Sequence, residues 1–168
     1  MKKRVILMLV VALAFVWAVG CTAQPPQEAE PEEIVFTLYY GDNELMELVA
    51  EERTVSVSED VNILLIAVQE LTKEPVTPDA IVLMPLETEV LGVTATDDII
   101  TIDFNENLRE NFNGGSSGEA LLITSIVDTV TGLDGYETHK VAFLINGEQF
   151  DSIGGHISAE ELFERSQD

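Results

Sequence analysis

Apolar positions recur along the chain with two periods. Val61, Leu64, Leu65, Val68 and Leu71 fall at i, i+3, i+4, i+7 and i+10, which is one face of a helix. Ser58 is the expected cap, and Glu59 and Asp60 suit the positive end of the helix dipole. Lys73 suits the other end, and Pro75 blocks continuation. A second helix is predicted from near Ser116, with Leu122, Ile123, Ile126, Val127, Val130 and Leu133 as its buried face. Ser116 and Glu119 have capping-box spacing, and Gly132 and Gly135 mark the exit.

The other period is two. Val35–Tyr40 is β-branched and aromatic and predicts a strand, and Glu47–Val57 holds a weaker one. Ile100, Ile102 and Phe104 alternate with Thr101 and Asp103, so Val90–Phe104 predicts a hairpin turning at Asp97-Asp98. In the polar stretch 105–115, Leu108 and Phe112 are the expected core anchors. Lys140–Ile145 predicts a further strand with a turn at Asn146-Gly147, and Ser158 is positioned to cap a short last helix over Ala159–Arg165. The order predicts an α+β class: a mainly antiparallel or mixed β-sheet packed on one face by two α-helices, in one compact domain.

The start of the chain obeys neither period. Residues 2–4 are Lys-Lys-Arg, and an uncharged apolar run of fifteen residues from Val5 to Val19 follows. A membrane span needs roughly 20 apolar residues. The run therefore reads as a secretory leader over 1–20, with an uncut span as the weaker alternative. Ala18-Val19-Gly20-Cys21 resembles a bacterial lipobox, with Ala18 where Leu is usual. Cys21 is the sole cysteine and is the expected lipid attachment site. This places the domain on the extracytoplasmic face of the cytoplasmic membrane. Residues 21–33 are Pro-rich, acidic and aperiodic, and read as a tether before a domain over 34–168.

Charge narrows the partners. Removing 1–20 takes Lys2, Lys3 and Arg4 from eight bases and nothing from 31 acids, leaving a net charge of −26. Such a surface repels nucleic acid, whose phosphates require clustered Lys and Arg. A solvated acidic surface with no specific ligand is the simplest account.

Catalytic and metal constellations fail on spacing. Ser116 or Ser117 with His139 or His156 would be needed for a triad, but the 114–118 run lacks G-x-S-x-G. His139 and His156 have no zinc-ligand spacing. Asp103, Asn105 and Asn107 match the first ligands of a calcium loop, but Leu108 and Gly114 stand where Gly and Glu are required. A phosphate at the 114–118 helix start is physically possible, though the run holds no Lys. No cofactor and no metal is expected.

Taken in order, several marks resemble the GerMN domain of the GerM-like sporulation and spore-germination lipoproteins. They are Phe36-Thr37-Leu38-Tyr39-Tyr40, Thr101-Ile102-Asp103-Phe104, and Gly114-Gly115-Ser116-Ser117-Gly118-Glu119. Ile126-Val127-Asp128-Thr129-Val130 follows, then Lys140 through Asn146-Gly147, then Gly154-Gly155-His156. The resemblance covers roughly residues 34–160 in a single copy, whereas the family also has a tandem form. It implies a lipid-anchored binding or scaffold module with a protein partner in an envelope or sporulation complex, and no enzyme activity. Gly114, Gly115, Ser116, Glu119, Thr129, Gly147, Gly155 and His156 are its motif residues, with structural roles expected. The alternatives are a cell-wall hydrolase using carboxylates such as Asp97 and Asp98, or a small-ligand or cation carrier.

Overall fold

A ribbon of two long strands opens the fold. In the computed structural model, which describes residues 32–58 and 61–165, β1 spans Glu32–Asp42 and β2 spans Leu48–Val57. They pair antiparallel, with Phe36 opposite Arg53 and Tyr40 opposite Val49. The leader, Cys21, tether residues 21–31, and Glu59 and Asp60 lie outside the described residues. Glu32 and Glu33, assigned to the tether from sequence, are the first residues of β1. A strand end needs backbone pairing and no apolar face, so acidity there hides the strand. Phe36, Leu38 and Tyr40 alternate into the core. Gly41 and Asp42 also pair with the two-residue β3, Ala80–Ile81, giving the order β2-β1-β3.

Helix α1 is Ile63–Glu70, with Leu64, Ala67 and Val68 buried and Leu71 buried just beyond. Its cap is Asn62, not Ser58. The Asn62 carboxamide oxygen accepts from Leu65 N–H at 3.2 Å, while its NH₂ donates to the Val93 carbonyl at 2.7 Å. One side chain thus closes the helix and ties it to β4 (Val90–Ala95). That second bond is tertiary and has no local signature. Val61 falls outside the helix and is 38% exposed.

β4 forms the expected hairpin with β5 (Ile99–Phe104), closed by Thr96 N–H donating to the Ile99 carbonyl at 2.9 Å. Leu91 is the extra residue of a bulge between Val90 and Gly92. β6 (Lys140–Ile145) lies parallel to β5, Ile102 opposite Phe143. Parallel neighbours need a long crossover. The chain supplies one through α2 (Asn107–Glu110) and α3 (Gly115–Thr131). The second sheet is therefore mixed, in the order β4-β5-β6.

The α+β class stands, with the strands parted into two three-stranded sheets. α3 packs on β1, and α1 touches β1, β4 and α3. One core joins Leu38 and Tyr40 of the first sheet to Ile102 and Phe143 of the second through Leu64 and Ile126 of the helices. The described residues belong to one compact unit, Pro31–Asp168.

Two further local expectations fail. No capping box forms: Gly114 is the N-cap of α3 without a side-chain bond, and Ser116 is exposed. Glu119 is drawn elsewhere, as described below. No helix forms over 159–165 either. Phe163 instead exchanges both backbone hydrogen bonds with Val141, at 2.8 and 2.9 Å, and stacks on Phe143 with centroids 5.2 Å apart. Covering the open edge of β6 satisfies strand groups that a free helix would leave to solvent. Among the described residues no helix is long and apolar enough to cross a membrane.

Candidate functional site

The motif residues meet in pairs. Tyr39 N–H donates to Thr129 Oγ1 at 3.2 Å across 90 residues of sequence, and Ser125 Oγ donates to the Tyr39 carbonyl. Gly147 N–H donates to Asp103 Oδ1 at 2.9 Å across 44 residues. Glu119 takes the 154–157 segment across 37 residues. The first mark is bonded to the fourth, the second to the fifth, and the third to the sixth.

The Glu119 clamp is the most developed of the three. Its side chain is fully buried on the first turns of α3. Oε1 accepts from Gly154 N–H at 2.8 Å, and Oε2 accepts from His156 N–H at 3.0 Å. His156 Nδ1 also lies 3.0 Å from Oε2, so this nitrogen carries the proton facing the carboxylate. Burial pushes the Glu119 carboxyl up, but the backbone N–H groups of Gly154, His156 and Ile157 and the imidazole outweigh it. The net value lies below the usual carboxylate range.

Glycines of these marks are explained by one ring. A Cβ at Gly154 would sit 2.5 Å from Phe112 Cε1, and one at Gly114 would sit 2.9 Å from Phe112 Cζ. Phe112 is thus pinned between the two glycine runs, and the clamp holds it there. Gly115 and Gly155 need glycine for a different reason, φ of 61° and 85°. Asn146 and Gly147, at 52° and 77°, form the turn that leaves β6.

A second cluster has no sequence signal beyond alternation. Arg53 donates to Glu51 at 2.5 Å, to Glu70 at 2.9 Å and to Tyr40 Oη at 3.2 Å. Glu51 is 3% exposed and its other oxygen accepts from Val76 and Thr77 N–H at 2.7 and 2.8 Å. Lys73 reaches Glu70 at 2.5 Å. Burial pushes Glu51 up, and the Arg53, Thr77 and Val76 donors bring it below the usual range. Burial raises Tyr40 to about 12, against the lowering effect of Arg53. The cluster ties β1, β2, α1 and the following loop together. A charged residue on the core face of a strand is its one sequence trace, visible only once register is known.

The other candidates stay apart from this chemistry. Asp97 and Asp98 are exposed at the tip of the β4–β5 hairpin. His139 packs edge-on against Tyr136, with Nε2 3.2 Å from the Thr96 carbonyl oxygen. Ser116 and Ser117 are exposed on the first turn of α3. Asp103, Asn105 and Asn107 do not converge: Asp103 holds Gly147, while Asn105 and Asn107 hold the Glu87 carbonyl. Among the described residues no group of three or more His, Cys, Asp and Glu side chains is arranged to hold a metal ion.

Known proteins resemble this arrangement. The sequence model of the Germane family, described as sporulation and spore germination, matches residues 37–151. The first GerMN domain of the sporulation protein GerM from Bacillus subtilis is similar in structure. Its TM-score is 0.63 at 18% identity, over 80% of this chain and 99% of that one. The tandem GerMN domains of the same protein give 0.57 at 19% identity, and this chain, 87% covered, spans about half (49%) of their length. A protein of Clostridium perfringens provisionally classed as a lipoprotein gives 0.53 at 21% identity, over 79% of this chain and 87% of that one. No curated protein matches the sequence. At these identities the structural likenesses carry the fold.

Proposed function

The chain belongs to the Germane family, sporulation and spore germination, and from that premise we propose that it is a lipid-anchored, extracytoplasmic binding or scaffold module of sporulation, germination or envelope assembly. One observation carries the binding role. The family marks that could have furnished a carboxylate–histidine pair for proton transfer give a Glu119 that is fully buried and saturated by backbone donors. A general base must reach the proton it takes, and this carboxylate is taken up by the 154–157 segment. The marks build a rigid frame. Anchoring rests on the Cys21 lipobox and on the likeness to a protein classed as a lipoprotein.

Four measurements test the reading. Fractionation of cells carrying Cys21→Ser is expected to move the protein out of the lipid-anchored pool while leaving it folded. Pull-down of the full chain from detergent-solubilised membranes is expected to recover a defined protein partner. Deletion, with spore formation and germination scored separately, assigns the process. Release of soluble sugars or peptides from purified wall by the purified chain would overturn the module in favour of a hydrolase.

A further inference from the structure

Two loops face each other across a groove of about 1200 Å³. On one rim the Asp42 carboxylate accepts from Glu44, Met46 and Glu47 N–H at 3.3, 2.7 and 3.0 Å, and Leu45 is held at φ 55°. On the other rim Asn111 donates to the Leu86 carbonyl at 2.8 Å, and Asn105 and Asn107 donate to the Glu87 carbonyl at 3.0 and 2.9 Å. Glu87 is held at φ 62°, and Leu86 is 83% exposed beside it. Non-glycine residues in the left-handed region persist only where their surroundings over-determine them. Both rims are so determined, and each presents a leucine that the core does not use.

The groove between them is firm. Leu83 lies against Gly41 of β1, where a Cβ would sit 2.6 Å from Leu83 Cδ2. Phe112, pinned by the Glu119 clamp, forms part of the wall. The motif residues therefore fix a surface of this groove as well as the fold. Glu74 and Glu87 line it, and among the described residues no Lys or Arg does. Each of the five bases among the described residues is paired with an acid: Arg53, Lys73, Arg109, Lys140 and Arg165.

We propose that this groove docks a basic segment of a partner protein, with apolar side chains against Leu45, Leu83 and Leu86 and Lys or Arg toward Glu74 and Glu87. It rests on the module reading above and names that module's binding surface. Charge selects the occupant. A second copy would bring the same net charge of −23 to an acidic groove. The tether before β1, residues 22–31, holds acids and no base. Only a basic partner meets both the apolar rims and the uncompensated carboxylates, and rims already ordered lower the entropy lost on binding.

The test uses the full-length chain in nonionic micelles, leucine methyls labelled with carbon-13, and a short synthetic peptide of alternating Leu and Lys. The methyls of Leu45, Leu83 and Leu86 are expected to shift saturably with this peptide and not with its Leu–Glu counterpart. Leu86→Ser, at a solvent-exposed position, and Glu74→Lys with Glu87→Lys are each expected to weaken binding by about tenfold. Shifts that miss these three methyls, or an unchanged affinity in Leu86→Ser, overturn the proposal. So do the same shifts on raising protein concentration alone, which would seat a second copy there, or on deleting residues 22–30, which would seat the tether. In the pull-down, a partner recovered equally by wild type and Leu86→Ser removes the groove and leaves the module reading intact. Peptide binding at the groove with no partner recovered supports the surface and counts against the module reading.

Discussion

At Glu119 a single carboxylate serves the backbone of a segment 35 to 37 residues away. Glu119→Ala strands the Gly154 and His156 N–H groups, and at roughly 1.5 kcal/mol for each bond to a charged acceptor it is expected to cost about 3 kcal/mol. Denaturant unfolding measures this. The pH dependence has a definite sign. A carboxyl whose folded value is depressed contributes stability above its unfolded value near 4.5, and that contribution is lost as pH falls through the folded value. Melting temperature should therefore fall on acidification below about pH 4.5, and Glu119→Gln should flatten that limb. Gly154→Ala tests the ring packing. Its Cβ meets Phe112 at 2.5 Å and Glu119 Oε2 at 3.0 Å, an overpacking expected to cost about 1–3 kcal/mol. The double variant Gly154→Ala/Phe112→Leu should recover part of that loss. Full additivity of the two changes would show that the ring is not what requires glycine there.

Between elements, side chains replace strand pairing. β1 runs beyond its short pairing with β3, and α3 covers part of the open edge through Ser125 and Thr129 on Tyr39. Thr129→Val keeps the shape and removes the acceptor, so it should cost about 1 kcal/mol. It should also speed amide exchange at Tyr39 without changing that of Leu64 in α1. The Arg53 cluster does similar work for β2 and α1. Arg53→Met leaves Glu51 and Glu70 without their guanidinium, and breaking such a buried pair is expected to cost about 3–5 kcal/mol. Tyr40 adds an alkaline limb. Its folded value is raised to about 12 from 10.0, so the native state holds the proton longer. Stability should decline as pH rises between those values, and Tyr40→Phe should remove that part of the decline.

For the molecule as a whole, like-charge repulsion is the dominant electrostatic fact, with 31 acids against 8 bases. Raising sodium chloride from about 20 to about 300 mM should raise the melting temperature, because screening weakens repulsion between exposed acids more than attraction within buried pairs. A falling melting temperature would show that the surface pairs, not the repulsion, dominate. What the sequence alone determined lies where the physics is local. Period two and period 3.6 located β1, β2, β4 to β6, α1 and α3, because burying one face of an element leaves a repeat in the chain itself. The leader and the Cys21 lipobox proposed above rest on contiguous patterns of the same local kind. The order of the marks carried the family. Partnership was decided by tertiary structure. Asn62 displaced Ser58 as a cap because it could also reach Val93. Glu119 left the capping box because Gly154 and His156 offered stronger bonds to a buried charge. Residues 159–165 became an edge cover instead of a helix because Val141 had open backbone groups. The parallel pairing of β5 with β6, the pinning of Phe112 and the two facing rims are contacts between residues far apart in sequence. Such contacts leave no period, so only the folded chain reveals them.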